Sequence, residues 1–171
     1  MTPAFRTVRA NFALVTAVIF GISTAGCAAS SDDSRTVGQV VNATSDDGHP
    51  LRQVPADAAP KISLEVKKDS DAGWNLHLAT KAFTFAPEHA GGPARANEGH
   101  AHLYMDGRKI ARVYGSWFHL PADAVPEGKH TLSATLTAND HTAWAVSNKV
   151  IGAEVEITRG AGDGGVRIHK H

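Results

Sequence analysis

The chain has 171 residues, and 17 lysines and arginines balance 17 aspartates and glutamates, so no basic stripe marks it for nucleic acid and no acidic block for bulk cation storage. Its one cysteine, Cys27, excludes an internal disulfide, a cysteine-based zinc site in the exported part and a blue-copper thiolate. The composition is unusual in its ten histidines.

In chain order, Arg6 and Arg9 form a short positive region, and no acidic residue precedes Asp32. An apolar run from Phe12 to Ile22 follows. It has the length of a signal-peptide core and is short for a permanent membrane span. Ser23-Thr24-Ala25-Gly26-Cys27 resembles a bacterial lipobox, with small residues before the thiol that is acylated; Thr24 stands where leucine is commoner. This reading gives a lipoprotein signal peptide over 1–26 and a lipid on Cys27. It makes the chain an extracytoplasmic protein held to the membrane by that anchor. From 27 to 59 the sequence is rich in Ser, Asp, Ala, Thr, Gly and Pro, with scattered apolar residues. It is expected to be a disordered tether, with a short strand or helix around Val37, Val40, Val41 and Leu51 as the lesser reading.

Order is expected over 60–158. Ile62, Leu64 and Val66 alternate with polar residues, as do Trp74, Leu76 and Leu78, the period-2 pattern of half-buried strands. Phe83-Thr84-Phe85 is a short strand closed by Pro87, and 87–99 is a loop holding Gly91-Gly92-Pro93. His100 to Met105 and Lys109 to Tyr114 flank Asp106-Gly107, a strong hairpin signal because a tight turn needs positive φ. Trp117 to Leu120, Leu132 to Leu136, and Val150 to Ile157 complete about seven short strands with no amphipathic helix. The fold expected is all-β: a single antiparallel β-sandwich, immunoglobulin-like or cupredoxin-like. The stretch 159–171 is read as a flexible Gly-rich tail ending in His169-Lys170-His171.

His100 and His102 lie two apart on a strand, so both face one side with Tyr104, and two imidazoles on one face can reach one metal ion. His77 lies on the polar side of its strand, His119 on the short segment after the hairpin, and His141 after Asn139-Asp140. These five are the candidate metal ligands, with Glu98, Asp106 or Asp140 as a carboxylate partner; imidazole ligands suit copper(II) or zinc, copper more than zinc. His49, His130, His169 and His171 are read as solvated, and His89 has no partner that the sequence names. The competing reading is a metal-free interaction or structural domain of the cell envelope. It would use an aromatic surface drawn from Tyr104, Tyr114, Trp117, Phe118 and Trp144. No G-x-S-x-G, H-E-x-x-H or phosphate loop is present, so the chain is expected not to be an enzyme.

Five segments carry a resemblance: Gly73 to His77, Phe83 to Glu88, Glu98 to Gly107, Arg112 to Leu120, and Ala138 to His141. Together they resemble a family of uncharacterised bacterial secreted proteins and lipoproteins built around a G-H-A-H-L-Y-x-D-G hairpin. The resemblance covers the central 70 residues or so. It implies an exported β-domain, implies no particular activity, and places the family's histidines on His77, His100, His102, His119 and His141. Met105 stands where the family more often carries valine.

Overall fold

Alternating burial along β-strands such as 74–81 and 152–159 builds the architecture. The structure, a computed structural model, describes residues 37–161. The expected signal peptide, Cys27 and nearly all of the C-terminal tail lie outside the described residues. The described strands are β1 (Gln39–Thr44), β2 (Pro50–Gln53), β3 (Lys61–Lys68), β4 (Trp74–Lys81), β5 (Thr84–Phe85), β6 (Glu98–Met105), β7 (Arg108–Val113), β8 (Trp117–Leu120), β9 (Gly128–Ala138), β10 (Ala143–Val146), β11 (Lys149–Val150) and β12 (Gly152–Arg159). They form two sheets. One runs β3-β4-β8; the other runs β1-β2-β10-β9-β6-β5, with β7 on β6, β11 on β10 and β12 on β9.

The expected all-β sandwich-like fold is what forms. Leu64, Trp74, Leu76, Leu78 and Leu120 of the small sheet pack with Ala101, Leu103, Leu132, Ala134, Leu136 and Trp144 of the large one. Each fully buried leucine contributes about 1.5–3 kcal/mol to this layer. Most pairings are antiparallel, but β2 with β10 and β5 with β6 are parallel. The hairpin turn falls on Asp106-Gly107 as expected, with φ of 50° and 76°, the left-handed conformation of a tight turn.

The ordered domain begins earlier than Pro60. Instead of a tether, β1 and β2 form an antiparallel hairpin (Gln39↔Gln53, Val40↔Arg52, Thr44↔Pro50) that joins the large sheet through β2 and β10. The physical reason is a second, small core in which Leu51, Ala143 and Ala145 are buried with Val41, Ala43 and Val150 against them. Arg52, only 8 % exposed, also ties β2 down. Its Nε donates to Thr142 Oγ1 (2.8 Å) and its Nη2 donates to Asp140 Oδ2 (2.7 Å). At the other end β12 runs through Arg159, so the tail starts one residue later than expected.

Candidate metal centre

Strand β6 is buried on both faces. Ala101 and Leu103 point into the sandwich core, while His100, His102 and Tyr104 share the opposite face. A histidine on the outer face of a sheet is ordinarily wet, yet His100 and His102 are fully buried. Two turns and the neighbouring strand roof them. The β1–β2 turn brings Asp47 and His49, the turn after β9 brings His141, and the β7 side brings Lys109 and Tyr114. Gly99, just before the pair, allows β9 to approach closely: its φ is 151°, and a Cβ there would stand 2.0 Å from the Thr137 carbonyl oxygen.

The rings form a closed circuit. Centroid separations are 4.9 Å for His102–His100, 5.2 Å for His100–His141, 6.3 Å for His141–His49 and 5.0 Å for His49–His102. Within it, His100 Nε2 and His102 Nε2 are 3.1 Å apart. Two nitrogens each ~2.0 Å from one ion at that separation subtend an angle of about 100°, between square-planar and tetrahedral values. The Nδ1 atom of His102 faces the other way, 3.5 Å from Asp47 Oδ2 and 3.4 Å from Tyr104 Oη. Asp47, His49 and His102 offer ligand atoms all within 4.8 Å of one another, an Asp/His/His group of a kind that can hold a metal ion.

Burial and neighbouring charges keep His100, His102 and His141 neutral. Burial first, then the charges of His102, Arg112, His141 and His49, push His100 down to about 3. Burial and the nearby Lys109 push His102 down to about 4, against the raising effect of Asp47. His141 is also lowered, by burial and then by Arg112. Burial would raise Asp47, but hydrogen bonds from Ser45 and Tyr104 and the charges of His49 and Lys109 outweigh it and hold the carboxyl at about 2. Tyr104 donates to Asp47 Oδ2 at 2.6 Å, and burial raises its own ionisation well above the ordinary phenol range. The result is neutral imidazoles, the form that binds metal, beside an ionised carboxylate.

Of the five expected ligands, three meet here: His100, His102 and His141. The other two lie on the small sheet. His77 stacks on Trp117 with centroids 4.3 Å apart and lies 3.8 Å from Glu65, while His119 Nδ1 is 3.1 Å from Asn75 Oδ1. The pairing of β4 with β8, Asn75↔His119 and His77↔Trp117, holds them there. None of the expected carboxylate partners is hydrogen-bonded or ion-paired to the rings of the cluster. Glu98 is paired with His89 and Asn139, Asp106 with His130 and the Thr131 N–H, and Asp140 with Arg52 and Thr142. Asp47 takes that place, and His49, expected to be solvated, joins the ring. A signal for both was present, because Asp47-Gly48 repeats the Asp-Gly hairpin pattern of 106–107 between Val41 and Leu51.

His141 carries a left-handed backbone, φ 66°, in the Asn139–Thr142 turn. Its neighbours hold it from both sides. Asn139 Nδ2 donates to Glu98 and its carbonyl accepts from the Gly91 N–H, while Arg52 binds Asp140. The loop 87–97 and β2 thus fix the same turn. Compared with known proteins, the chain matches no family model, no curated protein and no solved structure.

Proposed function

We propose that this protein is an exported, lipid-anchored metal-binding domain that holds one divalent ion, copper in preference to zinc, between His100 and His102. The observation that carries the reading is the 3.1 Å approach of two buried, neutral imidazole Nε2 atoms. His141 packs edge-on against His100 with ring centroids 5.2 Å apart, and His49 closes the circuit. Asp47 Oδ2 stands 3.5 Å from His102 Nδ1, behind the ring, where a carboxylate can orient a ligand imidazole. An all-nitrogen ligand set with no thiolate favours copper(II) in the divalent series. The run from Arg6 to Cys27 supports export and anchoring, and the absence of hydrolase motifs supports binding rather than catalysis.

Calorimetric titration of copper(II) and zinc into the full chain carrying His169→Ala and His171→Ala tests this. One copper per chain at micromolar or tighter affinity is expected, abolished by His100→Ala or His102→Ala and unchanged by His77→Ala or His119→Ala. Binding that survives loss of both His100 and His102 would refute the site.

The second reading, a recognition surface, rests on Trp117, which is 60 % exposed and stacked on His77. The aromatic surface expected around it is smaller than the sequence suggested, because Tyr104 and Trp144 are buried. A partner docking there would be lost in Trp117→Ala while metal uptake stayed intact.

A further inference from the structure

The ring of His102 separates two places where a cation can sit. On its Nε2 side lies the proposed metal position with His100. On its Nδ1 side, Asp47 Oδ2 is 3.5 Å from His102 Nδ1 and 3.3 Å from His49 Nε2, a second set of three ligands of the right kinds. That second position already has a cation beside it. Lys109 Nζ stands 3.6 Å from Asp47 Oδ2 and 3.4 Å from His49 Nε2.

A bulge in the hairpin puts Lys109 there. The β6–β7 ladder pairs Leu103 with Ala111 and then Tyr104 with Lys109, skipping Ile110. A regular ladder would set Ile110 opposite Tyr104. The extra residue instead turns Lys109 onto the face of His102 and Tyr104, while Ile110 packs against the core. The strand irregularity and the lysine contacts are separate observations with one result: an ammonium held against a carboxylate and an imidazole of the second ligand set.

We infer that Lys109 is a built-in counter-cation that holds the Asp47–His49–His102 position closed and so limits the centre to a single metal ion. Removing its charge opens a second site, in which an ion binds Asp47, His49 Nε2 and His102 Nδ1. His102 then bridges two ions after losing its remaining ring proton to solvent, with the ions about 6 Å apart across the imidazole. This inference rests on the metal reading of the His100–His102 pair.

The test is metal stoichiometry by calorimetry and elemental analysis, using copper(II) alone, on the full chain with His169→Ala and His171→Ala. That background should take one copper per chain, Lys109→Met two, Lys109→Arg one, and Lys109→Met with Asp47→Asn one again. In Lys109→Met loaded with two coppers, the low-temperature paramagnetic resonance intensity should fall well below two independent spins, because a shared imidazolate couples them. One copper in Lys109→Met, two in the background, or two in the double variant would each overturn the role given to Lys109 while leaving the first site in place. No copper in the background would instead remove the reading on which the inference stands.

Discussion

A neutral imidazole and a protonated one differ in whether they can take a metal, and burial sets which form His100 and His102 adopt. Both are depressed far below the ordinary 6.5, to about 3 and about 4. The sign follows directly. Above pH 6.5 both rings are neutral folded or unfolded and contribute nothing to pH dependence. Below it the unfolded chain takes protons that the folded one refuses, so stability falls as pH falls, down to about pH 4 for His102 and about pH 3 for His100. The slope is at most about 1.4 kcal/mol per pH unit for each ring. Urea melts of the metal-free protein should therefore lose stability from pH 7 to pH 5, and His100→Ala should flatten the loss. A profile that is level across that range would show that the rings protonate in place. His130 acts in the opposite sense, since its hydrogen bond to Asp106 raises it and its contribution fades with rising pH. The exposure of its partner Asp106 to solvent keeps that effect small.

At the scale of elements, the site depends on two turns that carry no hydrophobic weight of their own. Arg52 binds both: β2 follows the turn bearing Asp47 and His49, and its guanidinium reaches Thr142 and Asp140 beside His141. Arg52→Ala removes these charge-assisted bonds and leaves Asp140 without its cation, which should cost about 2–3 kcal/mol in thermal or denaturant melts. It should also weaken copper binding although Arg52 ligates nothing. Unchanged affinity in Arg52→Ala would mean that the turns hold their positions without it. The same elements show where sequence reading stopped. β6 was legible because His-Ala-His-Leu-Tyr alternates and Asp106-Gly107 closes it. β1 was legible only as the lesser reading of a short strand around Val40 and Val41, because it is an edge strand exposed along one face and only half-buried on the other, leaving no strong hydrophobic period. β10 is buried almost throughout, so Ala143-Trp144-Ala145-Val146 shows no alternation to read. Which histidines converge was hidden for a related reason. His77 and His100 have similar local patterns, and only the assignment of β4 and β6 to different sheets separates them.

For the whole molecule, the proposed anchor gives the domain its place. Cys27→Ser should abolish lipidation and leave the precursor uncut by the lipoprotein peptidase, because a hydroxyl replaces the thiol poorly in acylation. Mass spectrometry of the membrane fraction reads the outcome, and an unmodified wild-type protein beginning at another residue would exclude the anchor. The revised domain boundary also shortens the tether. With β1 starting at Gln39, 11 residues (28–38) separate the proposed lipid site from the sheet, a shorter link than one running to residue 59.

The parallel pairing of β2 with β10 has a consequence in time. It joins chain segments 92 residues apart and seats the β1–β2 hairpin, with Asp47 and His49 in its turn, beside the large sheet. A chain threaded across a membrane from its N-terminus exposes Asp47 and His49 early, with nothing to pair against, and His141 near the end. Contacts this distant in sequence close last, because loop entropy must be overcome before they return any energy. If the chain is exported as proposed, Asp47 and His49 therefore take their places beside His102 only after β10 has emerged, whereas His100 and His102 lie together on β6.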